Sequence, residues 1–128
     1  MQNVADDTVS AIIEKWSAAF NKLDAATLAS LYSNNAFFFG SKSSLYRGND
    51  GVAAYFNALP RWSSPSVQFT DRATAQVNPD LINFAAIASF VVGENDPPLS
   101  VKTSWVIARE DGDWKIVSHH VSSMTPLL

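Results

Sequence analysis

Apolar residues recur at intervals of three and four from Asp6 to Lys22, where Val9, Ile12, Ile13, Trp16, Ala19 and Phe20 fall on one stripe. That spacing predicts a helix with one buried face, and Asp6, Asp7 and Thr8 offer its cap. The periodicity resumes after Asp24, which can cap a second helix, and carries Leu28, Leu31 and Tyr32 to a stop at "SNN". "AFFFG" then predicts a short buried strand. "RGNDG" supplies a turn in which Asn49 or Asp50 can cap, and Val52, Tyr55, Phe56 and Leu59 predict a third short helix closed by Pro60.

Beyond this point the period changes to two. Val67 to Val77, Ile82 to Val92, Ser100 to Glu110 and Trp114 to Ser123 are strand candidates, joined by the turn sequences "NPD", "GENDPP" and "EDGD". Short links make antiparallel neighbours, so the chain reads as three helices followed by a long meander. The fold class is α+β, with helices on one face of a curved sheet and room for a pocket on the concave side. Along Ser100 to Glu110, Val101, Thr103, Trp105 and Ile107 alternate with Lys102, Ser104, Val106 and Ala108. Neither face is wholly polar, which predicts cover on both sides: helices on one and another subunit on the other, or else a plain two-sided core.

Composition narrows the function classes. A chain of 128 residues, 47% hydrophobic and 16% charged, is one domain. A formal charge of -3 with scattered Lys and Arg offers no field for nucleic acid. The longest apolar run, Phe84 to Gly93, is short of a bilayer span, and "MQNVADDTVS" lacks the pattern of a signal peptide. A soluble, cytoplasmic protein with no nucleic-acid or membrane partner is expected. With no cysteine and two adjacent histidines there is no thiolate site and no zinc-binding helical pair, so neither metal nor cofactor is expected. Aromatics stand out instead: four Trp, three Tyr and eight Phe exceed what a core this size needs, and surplus aromatic surface lines cavities or interfaces.

Two positions carry candidate acid/base chemistry. On a regular strand Val67, Phe69, Asp71, Ala73, Ala75 and Val77 share one face, so Asp71 interrupts an apolar row. It is a general base with a raised pKa, or it sits at a mid-strand bulge, or Arg72 partners it. His119 and His120 point to opposite faces, since parity groups Lys115, Val117, His119, Val121 and Ser123 against Trp114, Ile116, Ser118, His120 and Ser122. Ser122 and Ser123 follow, but no glycine elbow makes a nucleophile of either. Two helix stripes and the inward parity of Ser100 to Glu110 predict that Trp16, Phe20, Tyr55 and Trp105 border one cavity.

Three stretches, "IIEKWSAAFNKLDAATLASLYSNNAFFFG", "YRGNDGVAAYFNAL" and "SWVIAREDGDWKIVSHHVSSM", resemble the nuclear transport factor 2-like superfamily, especially its SnoaL-like branch and the association domain of calcium/calmodulin-dependent protein kinase II. They match that family's helical hairpin, third helix and final hairpin, and span nearly the whole chain, residues 1–128 as a single SnoaL-like domain. The resemblance implies a cone-shaped fold, three N-terminal helices packed on a curved, mostly antiparallel sheet, a cavity between the layers, and a homodimer through the outer sheet face. Ketosteroid isomerases of this fold carry an oxyanion-binding Tyr where this chain has Trp16, and a catalytic Asp whose counterpart is Gly40. The association domain's cavity arginines and histidine correspond to Val52, Val91, Trp105 and Val121. With Val121 facing the cavity, His119 faces it too, and His120 turns toward the subunit interface.

The leading expectation is therefore a mainly apolar pocket that binds a small hydrophobic or aromatic molecule. One rival is a cofactor-free isomerase, cyclase or dehydratase using Asp71 or His119 as acid/base. The other is a non-catalytic dimerisation or assembly module. Fold alone does not choose among them.

Overall fold

The apolar stripe Val9, Ile12, Trp16, Ala19 and Phe20 is buried along α1 (Val4–Asn21). The computed structural model describes residues 4–128, so the first three residues of the expected domain lie outside it. Asp24 caps α2 (Ala25–Ser30), its carboxylate accepting from the Thr27 amide at 3.1 Å. There the expected order changes. Tyr32 opens a strand, β1 (Tyr32–Phe39), instead of ending the helix, and "SNN" lies within that strand instead of stopping it. The reason is a non-local partner: β1 runs parallel to the last strand, with Tyr32 opposite Ile116, and an irregularity between Tyr32 and Phe37 absorbs the asparagines.

A two-residue strand that periodicity could not show, β2 (Tyr46–Arg47), leads into α3 (Gly48–Asn57). The helix has no side-chain cap. Asn49, expected at that cap, instead donates its amide to the Ala29 and Tyr32 carbonyls and ties α3 to the end of α2. Helix α3 stops at Asn57, before Pro60. The Arg61 guanidinium donates to the Phe56 carbonyl in the last turn of α3 at 2.9 Å and to the Leu59 carbonyl just beyond it at 3.2 Å.

Four long strands follow: β3 (Ser66–Asn78), β4 (Leu81–Val91), β5 (Leu99–Glu110) and β6 (Asp113–Ser123). They form an antiparallel meander in a six-stranded sheet of order β2-β1-β6-β5-β4-β3. The helices cover one face, and the core between layers holds Phe38, Phe84, Trp105, Ile107 and Ile116.

Two bulges alter the expected parity. Thr70 pairs with Ile87 and Ala73 with Ala85, so Asp71 and Arg72 together oppose Ala86. Asp71 takes a left-handed backbone, φ 50°, and is exposed. Its row with Val67 and Phe69 is broken, and Arg72 turns to the helix side, donating to Ser10 Oγ at 2.8 Å. On β6, Val106 pairs with Ser118 but Ile107 with Ile116. The extra residue at Val117 brings Ile116 inward beside His119, where a regular strand would have turned it out.

Candidate functional site

A cavity of about 350 Å³ opens between the helices and the concave sheet face. Trp16 and Phe20 of α1 stack at 5.4 Å along one wall, and Phe69 and Phe90 close it from the sheet. Tyr55 and Phe56 of α3 face Phe38 of β1, with Tyr55 and Phe38 at 4.7 Å, edge to face. The rim is made by Ser41 and Lys42 after β1, by Leu59, Pro60 and Trp62 after α3, and by Val92 and Leu99 around the turn between β4 and β5. Arg61 thus does a local job for the site: by anchoring the chain to the end of α3 it sets the rim segment that carries Trp62.

Polar groups in this wall are few. At the rim Tyr55 Oη accepts from the Ser41 amide at 2.9 Å and shares a hydrogen bond with Ser41 Oγ at 2.7 Å. Gly40 makes this possible, since a Cβ there would stand 2.6 Å from the Tyr55 ring. Among the described residues Lys42 is the one Lys or Arg in the lining, and no carboxylate lines the cavity.

The floor holds a continuous chain of hydrogen bonds. Trp16 Nε1 donates to Tyr32 Oη at 3.0 Å, Tyr32 Oη meets His119 Nδ1 at 2.8 Å, and His119 Nε2 meets Thr103 Oγ1 at 3.0 Å. His119 is buried and stacked on Phe38 at 4.5 Å. Burial, with a smaller contribution from His120, lowers its pKa from 6.5 to about 3. Burial likewise raises the Tyr32 phenol above its ordinary value. The imidazole is therefore neutral near pH 7, and both its nitrogens are engaged by hydroxyls.

Of the residues expected to form the site, Trp16, Phe20, Tyr55, His119 and Val121 meet at this cavity. Trp105 does not line it: the indole lies fully buried behind, between Phe69 and Phe84. Val52 is also fully buried and away from the lining. Val91 is 42% exposed, while its neighbours Phe90 and Val92 face the cavity. Asp71 opens on the other side of the sheet, in a shallow depression with Lys102, Ser104, His120 and Ser122. It shares no hydrogen-bond path with His119.

Tyr32 and Thr103 were not singled out from sequence. Thr103 had a legible signal, a lone hydroxyl in the inward row Val101, Thr103, Trp105 and Ile107. Tyr32 had none, because its spacing from Leu28 is helical. Among the described residues no group of three His, Asp or Glu could hold a metal ion, and no helix is long and apolar enough to cross a membrane.

Comparison with known proteins bears on this geometry. No curated protein matches the chain. Among solved structures, a provisionally named calcium/calmodulin-dependent protein kinase II association domain from Xanthomonas campestris superposes with TM-score 0.82 at 20% identity, covering 94% of this chain and 87% of its own. A nuclear transport factor 2-like protein of unknown function from Pseudomonas putida gives TM-score 0.84 at 14% identity, covering 99% and 92%. A provisionally named scytalone dehydratase from Novosphingobium aromaticivorans gives 0.81 at 13%, covering 96% and 87%. At such identities these establish the fold. The family description "SnoaL-like domain" matches residues 9–126, both layers of the fold and every residue lining the cavity, and the chain belongs to that family.

Proposed function

We propose that this protein binds a small aromatic or hydrophobic molecule, largely uncharged, in the cavity between helices and sheet. The observation that carries the reading is the wall itself: an open volume of about 350 Å³ faced by Trp16, Phe20, Phe38, Phe56, Phe69 and Phe90, with no carboxylate among the described residues. Ligand sites typically begin near 300 Å³ and combine an apolar lining with a few placed polar groups. At roughly 30 Å³ per water the volume equals about a dozen waters, the bulk of two fused rings or one ring with a short chain.

An acid/base reaction is the weaker reading. Asp71 and the cavity lie on opposite faces of the sheet, and His119 is neutral with both nitrogens engaged. A homodimer through the outer sheet face belongs to the same proposal.

Trp16 and Trp62 both line the cavity and serve as built-in reporters. Titration with 2-ethylnaphthalene should quench or shift the tryptophan emission saturably, and Phe20→Trp, which fills the wall, should weaken that response. Emission that ignores the probe up to its solubility, together with a thermal transition that does not move, would leave the aromatics as core and the assembly reading in possession.

A further inference from the structure

The donors and acceptors along the cavity floor fix the direction of each hydrogen bond in the chain. Indole Nε1–H only donates, so the bond at 3.0 Å uses a lone pair of Tyr32 Oη. Tyr32 is 1% exposed, and its own hydroxyl proton must go to an acceptor or lie buried without one. The acceptor in hydrogen-bond range is His119 Nδ1. Nδ1 is then the unprotonated nitrogen, and neutral imidazole carries its proton on Nε2. Nε2–H donates to Thr103 Oγ1 at 3.0 Å. The reverse orientation, with Nδ1–H donating to Tyr32, would strand the phenolic proton in the core.

Every bond in the chain thus points the same way, from Trp16 through Tyr32 and His119 to Thr103. Each donation polarises the next donor. Thr103 Oγ1 accepts a hydrogen bond from His119 and donates none back to it, so its own O–H is unspent. The residue is 5% exposed and lines the cavity. An unspent donor in an apolar cavity has value only against an acceptor; the neutral imidazole behind it offers no positive charge to balance an anion, and the lining's one cation, Lys42, stands at the rim and not on the floor beside Thr103.

We infer that Thr103 is the specificity-determining hydrogen-bond donor of the cavity, and that the ligand class is an aromatic of about two fused rings bearing an uncharged acceptor oxygen, such as a ketone or aldehyde carbonyl, that seats on Thr103 Oγ1. This rests on the binding proposal above. It assigns the Trp16, Tyr32 and His119 chain to positioning: these residues fix the direction of one hydroxyl and do not touch the ligand oxygen themselves.

A matched pair of probes separates the claims. 2-Acetylnaphthalene carries a carbonyl, and 2-isopropenylnaphthalene replaces its oxygen by CH₂ at nearly constant shape. A neutral hydrogen bond made in an apolar site should favour the ketone by about 5- to 10-fold in Kd. Thr103→Val should remove that preference, leaving both probes near the hydrocarbon's affinity, while Thr103→Ser should keep it. The carbonyl stretch of bound 2-acetylnaphthalene should move to lower frequency in the wild type and return in Thr103→Val. Since the valine variant leaves His119 Nε2–H unpaired and can lose stability, the wild-type ratio is a test in its own right. Equal affinity for the two probes in the wild type, or a ketone preference that survives Thr103→Val, overturns the inference and leaves the binding proposal standing. Failure of either probe to bind the wild type overturns the binding proposal and this inference with it.

Discussion

His119 is enclosed by Phe38, Tyr32 and Trp105, and both ring nitrogens are engaged by hydroxyls. Protonation would break the Tyr32 bond and place a charge in an apolar floor. In the unfolded chain the ring titrates near its ordinary 6.5, and in the folded protein near 3. Between those values the unfolded state holds a proton that the folded state does not, so this residue's contribution is complete above pH 6.5 and is lost as pH falls toward 3. The slope from one proton is at most about 1.4 kcal/mol per pH unit. His119→Gln keeps hydrogen-bonding capacity but cannot titrate, so chemical denaturation from about pH 7 to about pH 4 should show a shallower loss of stability than in the wild type by up to that slope. Parallel profiles would mean that the imidazole is not held neutral. The inward direction of His119 was legible because the strand is regular from Ser118 onward, through Val121. Its partner Tyr32 was not, since only the fold brings together residues that stand 87 apart.

The elements followed their local patterns wherever those patterns were unbroken: the α1 stripe, the Asp24 cap and the four long strands all emerge from spacing and turn chemistry. Misreadings cluster at bulges, because one extra residue reverses the face of everything beyond it. Asp71 falls in an apolar row only on a regular strand, and in the bulge it stands exposed at φ 50°. Asp tolerates this left-handed conformation better than most residues, and glycine tolerates it best. Asp71→Gly should therefore leave stability unchanged or raise it by up to about 1 kcal/mol. Cavity affinity for 2-ethylnaphthalene should not move. A large loss of that affinity would return Asp71 to the functional site, and a large loss of stability would show that its side chain, not its backbone, is what β3 requires there.

At the scale of the whole molecule, the sheet has two unlike faces. The concave face is closed by helices, while the outer face carries Ala85 and the half-buried Ile87 and Val106 at its centre, with Phe39, 38% exposed, packed 5.4 Å from His120 at one side. Lys102, the cross-strand partner of Ile87, and Asp71 share a shallow depression with Ala85 and Ile87, so the charged groups border one end of this patch and Val106 lies four residues further along β5. Small and apolar residues along the middle of a sheet let a second sheet approach closely, and a two-fold axis through that centre would cover the patch on both copies at once. The side chain of Val106 sits on a strand flanked by β4 and β6, so it would lie near such an axis. Sedimentation at micromolar concentration should give twice the chain mass for the wild type. Val106→Glu would set two like charges against each other across the axis and should give the single-chain mass. Because Val106 and the cavity are on opposite faces, this variant should still bind 2-ethylnaphthalene with wild-type affinity. A wild type that sediments as a single chain, or a Val106→Glu variant that keeps the doubled mass, would remove the outer face as the interface, and the half-buried Ile87 and Val106 would then be ordinary exposed strand residues.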